Sequence, residues 1–178
     1  NLLRYYLVFN TDQCESLNVP AVEKRETQAN IVADSIIRDW NDCPQINYGG
    51  AKACYCPAVD TIKLPCRETF SNDDSFYSTM FHELTHSTGH KDRLDRDGIT
   101  KDINFGSETY SKEELIAEMG AGFLCAESGI NNTVETSASY IQNWLEKLKN
   151  DKRIVISAAS AAQKAANCIL GKQENYKE

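Results

Sequence analysis

Apolar positions along the chain change period several times, and each change marks an element. Arg4 to Asn10 (RYYLVFN) gathers aromatic and β-branched residues and predicts a strand, followed by a polar loop from Thr11 to Pro20. Between Gln28 and Trp40, apolar residues at Ile31, Val32, Ile36, Ile37 and Trp40 keep a helical period until Pro44 ends it. Gln45 to Tyr48, Ala53 to Cys56 and Thr61 to Leu64 are short strand candidates separated by Gly49-Gly50 and by Pro57-Ala58-Val59-Asp60. They predict a small, twisted, antiparallel-rich sheet, with Asp60 to Pro65 as its edge because proline marks an edge or an end.

Helical periods dominate the second half. Phe76, Met80 and Leu84 recur every four residues and predict a helix that Ser71, Asn72 and Asp73 start and Gly89 stops. A charged, glycine-containing loop from Lys91 to Ser107 follows. Tyr110 to Leu124 then reads as a helix opened by a capping pair, Ser111 and Glu114, with Leu115, Met119 and Phe123 on an apolar face. Its small residues Ala117, Gly120, Ala121 and Gly122 predict a close helix–helix approach, since glycine there costs helix stability. Ser137 to Asn150 and the alanine-rich Lys152 to Leu170 complete the set, and Gly171 to Glu178 reads as a frayed tail. The fold class is α+β.

Composition narrows the field. A chain of 178 residues suits one domain, 1–178, and its net charge of -7 argues against tracking a nucleic-acid backbone. No apolar run is long enough for a membrane span and no signal peptide is evident, so no membrane partner is expected. Asn1 begins in a strand-like run without Met, which reads as the continuation of a longer chain. The seven cysteines are scattered and odd in number, which fits reduced thiols of a cytoplasmic protein, with Cys125 and Cys168 in helical cores. Only Cys54 and Cys56 are close; alternation along a strand turns both to one face, although C-x-C alone is weak evidence for a metal. In a reduced compartment the Asn131-Asn132-Thr133 sequon is a chance match.

The chemistry concentrates in one stretch. All three histidines fall between positions 82 and 90, and His82-Glu83-Leu84-Thr85-His86 spells H-E-x-x-H. Four residues advance a helix by about 400°, so His82 and His86 share a face and can bind one tetrahedral Zn²⁺. Glu83, beside a ligand, can reach a water at the metal's open position. The uncharged neighbours Thr79, Met80, Leu84, Thr85, Ser87 and Thr88 suit a helix buried beneath an active-site floor.

A catalytic zinc needs a third protein ligand. Metzincins use a histidine three residues beyond a glycine, as H-E-x-x-H-x-x-G-x-x-H; here His90 directly follows Gly89, and Asp92 stands where that histidine would be. His90 is therefore read as a helix-end or supporting residue. Glu114 and Glu118, four residues apart on the later helix, are the better source. Glu114-x-x-Ala117-Glu118-x-Gly120 resembles the glutamate helix of gluzincins, which implies Glu114 as ligand and Glu118 orienting a ligand histidine; Glu118 as ligand is the alternative.

A wider resemblance rests on several runs. They are Tyr5 to Asn10 with Thr11-Asp12-Gln13, Gly49-Gly50 with Tyr55-x-Pro57-x-x-Asp60-x-Ile62-x-Leu64-Pro65, and HELTHSTGH. Phe105-Gly106-Ser107-Glu108-x-Tyr110-x-x-Glu113-Glu114-Leu115 and Trp144-Leu145-x-x-Leu148-Lys149-Asn150-Asp151-Lys152 complete them. Together they resemble the C-terminal metallopeptidase domain of ArdC-type antirestriction proteins and related polyvalent proteins of plasmids and phages. The resemblance implies a zincin-like fold, His82, His86 and a glutamate on the metal, and Glu83 as base. In that family a separate N-terminal domain binds single-stranded DNA, and the proteins protect incoming DNA from host restriction. Residues 1–178 contain no such domain, so single-stranded DNA is not expected as a direct partner of this segment.

The expected function is zinc-dependent hydrolysis of peptide or protein substrates, host restriction proteins among them, with Tyr110 or His90 as oxyanion donor. An extended substrate would add as a strand at the sheet edge. Two rival classes stand beside it: a zinc-stapled interaction module that blocks a restriction system, and part of a single-stranded-DNA-binding protein.

Overall fold

The computed structural model describes residues 15–16, 25–101, 107–131, 142 and 152–172. The expected strand Arg4 to Asn10, most of the loop after it, and all but one residue of the expected helix Ser137 to Asn150 lie outside them. The described elements run α1 (Ile31–Asp39), β1 (Gln45–Tyr48), β2 (Cys54–Cys56), β3 (Thr61–Leu64), α2 (Asp73–Ser87), α3 (Asp97–Thr100), α4 (Glu108–Glu127) and α5 (Lys152–Ile169). None of the described helices is long and apolar enough to cross a membrane.

Helix α1 begins at Ile31 because Asn30 caps it, its side chain accepting the Val32 and Ala33 N–H groups. The same amide donates to Ser128 O at the end of α4. Ala33, Ile36 and Trp40 face the core, whereas Ile31 and Val32 of the expected apolar face are exposed.

The sheet departs from expectation. Its order is β1-β3-β2, with β1 parallel to β3 and only β2 antiparallel. β3 is thus central and cannot be the edge. Ile62 and Leu64 explain its place: both are fully buried against α2, which favours the most covered strand position. Gly49 and Gly50 take φ of 128° and 75°, which turns the chain away from β1 so that β2 can form beyond β3. Pro65 lies just past the end of β3 and takes no part in the ladder.

Helix α2 carries the core. Asn72 caps it by accepting from Ser75 N, and Phe76, Tyr77, Met80, Phe81 and Leu84 are buried among Ile62, Leu64, Trp40, Leu124 and Ile169. Burial of each such side chain contributes about 1.5–3 kcal/mol. Its buried hydroxyls bond back to its own carbonyls, Thr85 to Phe81 O at 2.7 Å and Ser87 to Leu84 O at 2.7 Å. Asp73, the first residue of α2, is clamped by Arg25 at 2.7 and 2.9 Å, by Arg67 at 2.6 Å and by Gln28 N at 3.0 Å. These partners, Arg25 foremost, hold its carboxyl well below the usual range.

Helix α4 starts earlier than the Ser111 cap implied. Ser107 is the cap, accepting from Tyr110 N, and Ser111 is buried inside the helix. The helix has two apolar faces. Ala121, Leu124 and Cys125 pack towards α2, while Leu115 and Ile116 pack on Ala158 and Ala162 of α5. Phe123, expected on the buried face, is 38% exposed. The expected close approach does occur: a methyl at Gly120 would stand 2.5 Å from Thr85 Cγ2. Cys125 is buried, Cys168 packs half-buried on the same core, and Cys43, Cys54, Cys56, Cys66 and Cys168 are free thiols.

Two outcomes follow. Gly120→Ala should lower stability by about 1–3 kcal/mol through overpacking, and in a Thr85→Ala background most of that cost should vanish in a denaturant double-mutant cycle. Asp73, ionised more readily folded than unfolded, stabilises the fold above the unfolded-state value of about 4. That contribution is lost as pH falls through the lower folded value, so the stability gap to Asp73→Asn should shrink in acid unfolding curves.

Candidate metal centre

The two histidines of α2 sit one turn apart, with Nε2 atoms 3.1 Å from each other. Two nitrogens bound to one zinc at about 2.0–2.1 Å and a tetrahedral angle lie about 3.3 Å apart, so the pair is set for a shared ion. Glu114 of α4 faces both, Oε2 at 3.6 Å from His82 Nε2 and Oε1 at 3.7 Å from His86 Nε2. Donor atoms of His82, His86 and Glu114 all lie within 4.8 Å of one another. Two imidazoles and one carboxylate are the donor set of a catalytic zinc with a position left for water.

Each imidazole is backed by a further carboxylate. Glu118 Oε1 lies 3.5 Å from His82 Nδ1, and Glu113 Oε1 lies 3.3 Å from His86 Nδ1. Such contacts favour the proton on Nδ1 and leave Nε2 free to ligate. Glu118 was expected in this role; Glu113 was not. Glu113 is itself held by Arg96, with Nε at 3.0 Å and Nη2 at 2.6 Å. Arg96 also donates to Thr88 Oγ1 at 2.7 Å and Thr85 O at 2.8 Å, tying the loop after α2 to both helices.

Burial and charge compete across this cluster. For Glu113, burial favours the neutral acid, but Arg96 and His86 win and hold its carboxyl low. For Glu114 burial acts the same way, and His82, His86 and a hydrogen bond from Tyr110 outweigh it. For Glu118, burial, helped by the Glu114 charge, outweighs the opposing pull of His82 and His86 and pushes it up. Burial opposes the His82 cation, yet Glu114, Glu118 and Glu83 together raise its affinity for a proton. Tyr110, in the first turn of α4, is pushed up to about 12 by burial and Glu114, so its hydroxyl stays a donor at neutral pH.

Glu83 points the other way, towards the sheet. Its Oε2 accepts the backbone N–H of Tyr55 in β2 at 2.7 Å. The Tyr55 hydroxyl donates to Asp60 at 2.7 Å, and Arg93 brackets both, reaching Asp60 Oδ2 at 3.0 Å, the Tyr55 oxygen at 3.3 Å and Ser87 O at 2.7 Å. Arg93 in turn holds the Asp60 carboxyl low. A cavity of about 380 Å³ collects the site; Tyr55, His82, Glu83, His86, Tyr110 and Glu114 all line it. Of the expected site residues, only His90 stands apart. It lies past the end of α2, receives the Asp92 N–H at Nδ1 and does not line the cavity.

Arg93, Arg96 and Glu113 escaped sequence reasoning. Glu113 had a signal, since it directly adjoins Glu114 and lies one helical turn and a residue before Glu118. The arginines had none, because their loop carries no period from which a direction could be read.

Residues 32–161 match the family described as zincin-like metallopeptidase. The chain is 37% identical over 165 residues to the DNA primase TraC of Escherichia coli, covering 92% of this chain and 11% of the relative. It is 34% identical over 179 residues to protein y4eC of Sinorhizobium fredii, covering 97% of this chain and 55% of the relative. It thus spans from about a tenth to just over half the length of these curated relatives. Among solved structures, it is similar to the Mn(II)-bound antirestriction ArdC protein from the R388 plasmid. That similarity has a TM-score of 0.67 and 37% identity, over 97% of this chain and 63% of that one. The metal-free form of the same protein matches with a TM-score of 0.65 at 37% identity, over 96% of this chain and 61% of that one. With the family match running through the sheet, the H-E-x-x-H helix and the glutamate helix, this chain belongs to the zincin-like metallopeptidase family.

Proposed function

We propose that this domain hydrolyses peptide bonds with a zinc ion held by His82, His86 and Glu114 and with Glu83 as general base. The observation that carries the reading is the paired arrangement of the site: three convergent donors, each histidine backed by its own carboxylate, beside a fourth carboxylate at the sheet edge. Bound zinc supplies an acidified water and polarises the substrate carbonyl.

The chain's own groups account for the rest. Glu83 accepts the proton of the attacking water and returns it to the leaving amine. Tyr110 keeps its proton at neutral pH and donates to the oxyanion from the first turn of α4. Glu113 and Glu118 hold the two imidazoles in the ligating tautomer.

Substrate alignment falls to β2, since β3 is central. In an antiparallel strand the N–H and C=O of one residue point to the same side. The Tyr55 N–H points away from β3 to Glu83, so the Tyr55 carbonyl also faces outward, ready for an extended peptide. The likeness to an antirestriction protein supports a protein substrate in a restriction–antirestriction setting.

A broad peptide library tests the reading. Wild type loaded with zinc should cleave, and Glu83→Gln should lose about 10²–10⁴-fold in rate with its zinc retained. Equal inactivity of both proteins at full zinc occupancy would sink the peptidase reading. Metal analysis separates the glutamates: Glu114→Ala should lose bound zinc, while Glu118→Ala should keep it with about 10–100-fold weaker affinity. Glu113→Gln leaves Arg96 facing a neutral partner in a buried setting, so unfolding should show a loss of about 3 kcal/mol.

A further inference from the structure

On the strand beside the histidine site, one further pair of side chains has ligand geometry of its own, and one of the two, Cys54, also lines the 380 Å³ cavity. Cys54 and Cys56, the two ends of β2, place their sulfur atoms 3.9 Å apart. Both pair across the sheet with the outward-facing residues of β3, Cys54 with Lys63 and Cys56 with Thr61, while Tyr55 between them pairs with buried Ile62. The two thiols therefore share the outer face of the sheet and are only partly covered.

We propose that Cys54 and Cys56 form a second metal site, a dithiolate clamp for a thiophilic divalent ion such as Zn²⁺ or Cd²⁺. Two thiolates on a tetrahedral zinc, each at about 2.3 Å, are about 3.8 Å apart, so the strand already holds the sulfurs at the chelating separation. A disulfide fits less well. Residues two apart in a strand have Cα atoms about 6.6 Å apart, near the upper limit that a disulfide spans, and the sulfurs would have to close to about 2.05 Å. Chelation needs neither change. Binding releases two thiol protons to solvent, and the resulting ion–dithiolate unit is neutral. Water or a soluble thiol completes the coordination. Burial and the neighbouring Cys56 push the Cys54 thiol up, with Lys63 across the strand pulling weakly the other way, so it is the ion itself that draws the protons off.

The clamp grips both ends of a strand whose middle residue holds Glu83 through its backbone N–H. Its test reads no enzymatic activity. The intact chain is titrated with Cd²⁺ alone while the ultraviolet thiolate-to-cadmium charge-transfer absorbance is followed. One saturating thiolate-bound ion per chain is expected, lost in Cys54→Ser and lost equally in Cys56→Ser, but kept in Cys66→Ser. A signal that survives either of the first two substitutions overturns the site. As a check that needs no variant, Cd²⁺ should protect Cys54 and Cys56 together from alkylation in the wild-type chain, read by mass spectrometry. Alkylation of either at its metal-free rate also overturns it.

Discussion

The approach of α4 to α2 at Gly120 and Thr85 sets the distance from which Glu113, Glu114 and Glu118 reach the two histidines. Thr85 lies one residue before His86, and Gly120 lies two residues after Glu118, so a contact of methyl size governs the spacing of the ligands. Packing cost and ligand geometry are thus one quantity here. A bulkier residue at Gly120 would lift Glu114 and Glu118 from the imidazoles by tenths of an ångström, enough to loosen a site held to metal-bond tolerances. The glycine, unfavourable in a helix taken alone, is retained for what it lets the neighbouring carboxylates do.

On the other side of α2, polar contacts add to the apolar packing of Ile62 and Leu64 in fixing the sheet. Arg93, leaving the end of α2, binds Asp60 and the Tyr55 hydroxyl, and Tyr55 then presents its N–H to Glu83. The strand edge, the turn at Asp60 and the end of the metal helix are therefore joined by a few directional bonds. Arg96 does the same on the opposite flank, binding Glu113 and the last turn of α2. Two arginines from one short loop brace the site from both sides.

Much of this was legible in the sequence because it rests on helical period. The spacing of His82 and His86, the apolar stripe Phe76, Met80 and Leu84, and the pairing of Glu114 with Glu118 all follow from residues per turn. The small residues of α4 announced a close approach, and Gly120 makes it. Sheet order was not legible: short strands with similar composition carry no sign of which neighbour each will choose, and β3, whose Ile62 and Leu64 are fully buried on the face towards α2, took the centre. The start of α4 was misplaced since Ser107 and Ser111 offer the same hydroxyl to the same kind of N–H group, and only the buried surroundings of Ser111 distinguish them. The arginine braces act through long, flexible side chains across loops, where sequence distance says nothing about direction.

The double backing of the histidines has a consequence for ion choice. Within 3.7 Å of the two imidazoles stand Glu113, Glu114 and Glu118, against the guanidinium of Arg96. Crowding that much negative charge into a half-buried pocket makes the native state self-repelling, in the manner of a compressed spring. A doubly charged ion offsets more of that charge than a monovalent one at the same distance. The free concentration of divalent cation then becomes a variable of the fold as well as of the chemistry, raising the midpoint of unfolding by mass action.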